Sequence, residues 1–490
     1  MLFNSYLFIF AFLPVVYVVY HALYKNHHRH ALAWLTLSSL FFYSWWNPPF
    51  IALLTCSILF NFQLAQWIDR HHHTKRAKLW LAVGLVGNLG LIGYFKYANF
   101  FLDCVNPLFK TDWNMGHIFL PIGISFFTFQ QIAYLVDRYR QPHENRCNLM
   151  DYTLFVSFFP QLIAGPIVHH KQVLGQFASQ DISAINKRRD LASGLSQFSI
   201  GLFKKVLIAD NLALIANPLF SHADAGGTLG MADAWIAALT YSLQLYFDFS
   251  GYSDMAIGLG RLFGIHLPVN FNSPYKARNI TDFWRRWHMT LSAFLRDYVY
   301  IPLGGNRNGP SRRYANLMLT MLLGGLWHGA GKTFIIWGGL HGLYLCIHHV
   351  WLRFKPHTDK QPTRLSHTLA IGITFIAVVI AWVVFRSETL SGATRIYMGM
   401  AGLNGMANHM RADLTMAVPM VLVGLLVAWG LPNTQQIHDI NTGKWTGNLL
   451  TRIQGLRWHP TWRWSLLTGS AFAISCLMLN RVSEFLYWQF

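Results

Sequence analysis

Three histidines set among apolar residues are the side chains of this sequence best suited to chemistry: His288, His328 and His341. All fall in the stretch that runs from Asn270 to Gly342. A low-dielectric setting disfavours imidazolium, so a histidine there is neutral and can take up a proton. His328 follows the run Leu317 to Trp327 and precedes Gly329-Ala330-Gly331. A neutral imidazole so placed can act as general base on a substrate hydroxyl, and the glycines let a ligand come close to the backbone. Packing and proton relay are the other roles open to it. His288 lies on the apolar side of a helical pattern over 282–300, with Trp284, Trp287, Leu291, Phe294, Leu295 and Tyr298. It is expected to face the interior while Arg285, Arg286 and Arg296 reach solvent, headgroups or an anionic ligand; a hydrogen-bonded core histidine on an interfacial helix is the plainer reading. His341 comes thirteen residues after His328. At ~100° per residue it would stand about 220° around one continuous helix, which favours helix packing for it.

Other reactive patterns are missing from the sequence. It has no GxSxG elbow, no Walker loop and no GxGxxG turn. Ser250 and Ser253 lie near Asp248 and Asp254, an arrangement better suited to lining or capping than to a triad. The five cysteines are scattered singly, with no CxxC pair, and no HExxH accompanies the histidines. No dedicated metal site is therefore expected; His27, His28, His30, His71 to His73, His169, His170, His348 and His349 offer adventitious binding only.

The elements that must position these residues are membrane helices. Of 490 residues, 53% are hydrophobic and only 12% charged, against about 25% charged in soluble domains. Several apolar runs approach the ~20 residues that cross ~30 Å of hydrocarbon. The net charge of +19 then belongs to loops that face anionic lipid, not to nucleic-acid binding, since no basic soluble domain stands apart. The N-terminal run lacks a basic leader and a cleavage site, so a retained first span is expected.

Leu2 to Tyr24, Ala31 to Trp46, Pro49 to Ile68 and Leu79 to Tyr97 read as the first spans. The basic loops Lys25 to His30 and Asp69 to Lys78 fall on the cytoplasmic side, and Ala98 to Ile118 is an outer loop. Met150 to Ile167, with Pro160, Gly165 and Pro166 and basic residues on both flanks, reads as a re-entrant or broken helix lining an interior passage. Lys204, Lys205 and Asp210 interrupt Leu191 to Phe220, and snorkelling to the interface is the simplest account of them. The total is roughly a dozen membrane elements: an all-α polytopic membrane protein of one embedded domain over 1–490, with N-terminal helices 1–136, a core 137–351 and C-terminal helices 352–490.

Linked motifs then carry a resemblance. Asp248-Phe-Ser-Gly-Tyr-Ser-Asp254, Asn270-Phe-Asn-Ser-Pro-Tyr275, Asp282-Phe-Trp-Arg-Arg-Trp-His288, Tyr300-Ile-Pro-Leu-Gly-Gly305 and Gly325-Leu-Trp-His-Gly329 resemble the membrane-bound O-acyltransferase (MBOAT) superfamily. Its bacterial branch of alginate O-acetyltransferases is the part most similar, and Pro121 to Phe126 and Phe159 to Pro166 extend the likeness. The resemblance implies helices and re-entrant segments around a central tunnel in a bacterial inner membrane. It implies an enzyme, with no tightly bound cofactor, that takes acetyl from a cytoplasmic donor, acetyl-CoA, for an exported polysaccharide: alginate-like, cellulose or peptidoglycan. The sequence has no large periplasmic domain, so a separate periplasmic acetyltransferase is the expected partner. The signature histidine of the family maps onto His328 and the second signature position onto His288. Asn270 and Asn272 are then candidates to polarise the thioester oxygen, and Lys276, Arg278, Arg285 and Arg286 to hold the phosphates of coenzyme A. A transporter of a polysaccharide or lipid precursor is the competing class, which leaves the linked motifs unexplained.

Overall fold

Backbone away from water must close its hydrogen bonds locally. Among the described residues of the computed structural model, every regular element is accordingly a helix. The structure describes residues 1–141, 147–178, 187–354, 363–406, 412–438, 457–479 and 486. Among these residues, three helices are long and apolar enough to cross a membrane: Pro49–Arg70, Lys75–Phe109 and Arg364–Arg386. The first two contain the spans expected over Pro49 to Ile68 and Leu79 to Tyr97. Phe8–Tyr24 and Leu414–Gly430 are apolar but shorter.

The helices that matter below are α1 (Pro49–Arg70), α2 (Ile124–Arg140), α3 (Leu149–Ser157), α4 (His170–Ala178) and α5 (Met231–Leu262). They are followed by α6 (Ile280–Trp284), α7 (Met289–Leu295), α8 (Gly309–His328), α9 (Lys332–Phe354) and α10 (Arg364–Arg386). The chain divides into two compact units. One comprises Met1–Leu202, Tyr252–Pro268 and Pro460–Val482, the other Phe203–Gly251, Val269–His459 and Ser483–Phe490.

In the first unit, polar side chains join helices from within. Asn61 on α1 and Asn88 exchange amide hydrogen bonds at 3.2 and 2.6 Å, and the Gln131 amide on α2 donates to Ser57 at 2.9 Å. In an apolar setting such bonds hold helices together where the hydrophobic effect cannot. Arg138, near the end of α2, pairs with Asp69 on α1, and both are buried. The helix expected to break does so: α3 stops at Ser157, and Phe158 turns out with ψ 110°. Pro160 explains the stop, because its ring would strike the carbonyl four residues earlier in a continuing helix. The expected outer loop 98–118 differs from expectation. Ala98–Phe109 is helical and ends at Lys110, which adopts φ +51°.

In the second unit, α8 and α9 form an antiparallel hairpin. A side chain on Gly325 would run into the Phe334 carbonyl, and one on Gly338 into the Met321 carbonyl. Glycine at these two positions lets the backbones touch. Lys205 is only 3% exposed and so does not snorkel. Its ammonium lies 2.5 Å from Asp210 and 2.8 Å from Asp248 on α5. Two carboxylates in place of solvent are what a buried ammonium requires.

Candidate active site

The pattern over 282–300 does not make one helix. It makes α6, a break, then α7, and His288 stands in the break as the cap of α7 with φ +43°. A bulky residue rarely adopts the left-handed region, and such strain persists only where surroundings impose it. Here the backbone of residues 270–272 does so: Met289 N–H donates to the Asn270 carbonyl at 2.9 Å, and Asn272 N–H to the Arg286 carbonyl at 2.9 Å. His288 is wholly buried, as its position on the apolar side predicts, while Arg285 and Arg296 are exposed.

Asn270 fixes which proton His288 carries. The Thr290 hydroxyl donates to Asn270 Oδ1 at 2.9 Å, and Thr290 N–H points to the same atom at 3.4 Å. That atom is therefore an acceptor, and His288 Nδ1, 3.0 Å from it, is the donor. A neutral ring with its proton on Nδ1 presents a lone pair at Nε2. Burial pushes the pKa of His288 down to about 3, so the ring is neutral at ordinary pH. His288 stands outside the three helices suited to crossing a membrane.

His328 is the last residue of α8 and is 3% exposed. Gly329 follows in extended conformation, so α8 ends there and α9 returns. The two histidines meet at one indole: the Trp327 ring centroid lies 4.8 Å from His328 and 6.0 Å from His288. Phe249 closes on His288 at 4.9 Å, while Trp337 and Phe385 close on His328 at 5.1 and 5.3 Å. The hairpin also overturns the angular argument about His341, which assumed a continuous helix. His341 lies across from His328 with Trp337 between them, 4.9 Å from the latter ring. Its Nδ1 accepts from the Trp284 indole at 3.3 Å.

The remaining expected residues are engaged around this core. Arg286 donates to Asp282 at 2.8 Å and lies 3.4 Å from the Asn272 carbonyl. The Asn272 side chain accepts from Asn433 at 3.0 Å. Lys276 donates to the Leu431 carbonyl at 2.7 Å, and burial, with Arg286 adding to it, lowers its pKa to about 8. The Arg278 backbone N–H donates to Asp282 at 3.2 Å. Asp282 and Thr290, which sequence reasoning did not single out, are thus the polar residues that tie the stretch together. The four-residue spacing of Asp282 and Arg286 was the signal for the first; Thr290 gave none, because its partner is twenty residues away.

Residues 139–390 match the membrane-bound O-acyltransferase family, a region that holds every candidate residue above. The chain is 45% identical to a peptidoglycan O-acetyltransferase of Helicobacter pylori over 91% of its length and 92% of that protein's. The chain belongs to the membrane-bound O-acyltransferase family. It is also 44% identical to a Pseudomonas aeruginosa protein named probable alginate O-acetylase AlgI, over 85% of this chain and 78% of that one. A teichoic acid D-alanyltransferase of Bacillus subtilis is 30% identical over 54% of this chain. This membrane-bound O-acyltransferase is therefore an enzyme of the alginate O-acetyltransferase-like branch and an integral membrane protein, and the reading as a non-enzymatic transporter falls.

Proposed function

We propose that this enzyme takes acetyl from acetyl-CoA on the cytoplasmic side of a bacterial inner membrane and passes it outward through a tunnel lined by its roughly dozen membrane elements. The exported acceptor is a polysaccharide of the peptidoglycan or alginate type, acetylated directly or through a periplasmic acetyltransferase. The names of the relatives at 45% and 44% identity support that acceptor class. The observation that carries the chemistry is the pair of buried histidines about Trp327, one of them with its tautomer fixed by Asn270.

In the proposed reaction His328 takes the proton of the acceptor hydroxyl as the oxygen attacks the thioester carbonyl carbon. The C–O bond forms, the C–S bond breaks, and the proton returns from His328 to the leaving coenzyme A thiolate. His288 stands across Trp327 as the second base that positions donor or acceptor, held by Asn270. Arg278 and Arg285 are the cations assigned to the coenzyme A phosphates, with Lys276, Arg286 and Asn272 shaping the wall behind them. No metal is required for this chemistry.

The test is transfer of labelled acetyl from acetyl-CoA to added glycans by purified enzyme in proteoliposomes, with and without the periplasmic partner. Label on muropeptide or uronate oligosaccharide supports the reading. Thioester cleavage that leaves all glycans unlabelled, even with the partner present, contradicts the assigned acceptor.

A further inference from the structure

Among the described residues, one group of His, Cys and carboxylate side chains gathers as metal ligands do: Asp137, His169 and His170, whose ligand atoms all lie within 4.8 Å of one another. Asp137 is near the end of α2, His170 opens α4, and His169 stands just before it. His169 Nε2 is 2.7 Å from Asp137 Oδ2, and His170 Nδ1 is 3.8 Å from the same oxygen. The second separation is too long for a hydrogen bond. His170 is 2% exposed, and its Nδ1 is buried without a hydrogen-bond partner. Leaving such an atom desolvated is costly, and a bound ion would offset that cost.

We infer that Asp137, His169 and His170 form a binding site for a zinc-like divalent cation that ties the end of α2 to the start of α4. Two imidazoles and one carboxylate suit Zn²⁺ or Co²⁺, whereas Mg²⁺ and Ca²⁺ prefer oxygen alone. Ligand bonds of ~2.1 Å at a tetrahedral angle put neighbouring ligand atoms roughly 3.4 Å apart. Loading therefore opens the 2.7 Å separation and closes the 3.8 Å one, each by well under an ångström. Lys171 N–H points to His169 Nδ1 at 3.3 Å, which leaves that ring's proton on Nε2, facing Asp137. The ion takes Nε2, the proton moves to Nδ1, and the long Lys171 contact is given up. Of the nearby cations, Arg138 is paired with Asp69, while Lys171 Nζ is turned to Gln141, to which it donates at 2.6 Å. Three protein ligands leave a fourth position for water.

The site ties the end of α2 to the α4 end of the segment that leaves α3 at Phe158 and reaches α4 at His170. Its ion would act as a clamp on that segment, not as part of the acyl-transfer chemistry, so the inference stands apart from the proposed reaction.

The test uses the full chain in detergent, stripped with chelator and titrated with Co²⁺, while visible ligand-field bands, metal content per chain and melting temperature with Zn²⁺ are followed. One ion per chain is expected, with a raised melting temperature. His170→Gln and Asp137→Asn should each weaken binding at least tenfold and abolish the bands. Replacing His71, His72 and His73 together with alanine should leave both intact. Wild-type-like Co²⁺ bands in His170→Gln and Asp137→Asn would overturn the site, as would loss confined to the triple variant or no binding by wild type at micromolar metal.

Discussion

At the scale of single residues, the account turns on His288 receiving its orientation from Asn270 through a 3.0 Å hydrogen bond. Asn270→Ala is expected to lower kcat about tenfold, the worth of ~1.4 kcal/mol of lost positioning. Its effect should not add to that of His288→Ala in a double-mutant cycle, because both remove one interaction. Steady-state kinetics in proteoliposomes would read this, and additive effects would mean that Asn270 acts elsewhere. His288 also makes stability depend on pH. Its pKa falls from 6.5 to about 3 through burial. Between those values the unfolded ring binds a proton and the folded one does not, so stability drops as pH falls through that window. His288→Asn should flatten this part of a melting-temperature profile in detergent. The residue types and their apolar setting were legible in the sequence, including burial at position 288. The tautomer was not, because Asn270 is eighteen residues from His288 and nothing in the spacing reveals which of its atoms faces the ring.

At the scale of elements, the α8 and α9 hairpin sets where His328 sits. A valine at Gly325 would push against the Phe334 carbonyl. Such overpacking costs ~1–3 kcal/mol and pries the hairpin open. Gly325→Val should therefore lower melting temperature and acetyl transfer together; a stable variant of full activity would show that the close approach is dispensable. Lys205→Met leaves the buried Asp248 and the half-buried Asp210 without their cation, and breaking a buried pair costs ~3–5 kcal/mol. That variant should express poorly or melt early, and Asp248→Asn alongside it should recover part of the loss. Sequence periodicity found these helices but misjudged their continuity in two places. It ran through the break at 285–288 and ended another helix at Tyr97 where the chain stays helical to Phe109. The pattern of apolar residues continues across a break when both sides are buried, so periodicity alone cannot reveal it. Pro160 was readable because its ring excludes a helix locally.

For the whole molecule, the membrane frame was legible from composition and the family from motifs spread over the chain. The positive-inside rule gives a testable orientation. In a cysteine-free background, Lys25→Cys and Lys75→Cys should react with an impermeant maleimide only after the membrane is opened, and Thr111→Cys from outside in intact cells. Labelling of both sets from one side would contradict the assigned crossings. The acceptor glycan was not legible, because a chain built of membrane helices exposes little of the surface that would choose one. The central claim is that His328 is the base of an acetyl transfer from acetyl-CoA. The most direct measurement is acetyl-CoA cleavage and label transfer in proteoliposomes, comparing wild type with His328→Ala and His288→Ala, each with a melting temperature matching wild type. A loss of about 10²–10⁴-fold is expected in His328→Ala and a smaller one in His288→Ala; full turnover by a folded His328→Ala enzyme would show that His328 is not the base.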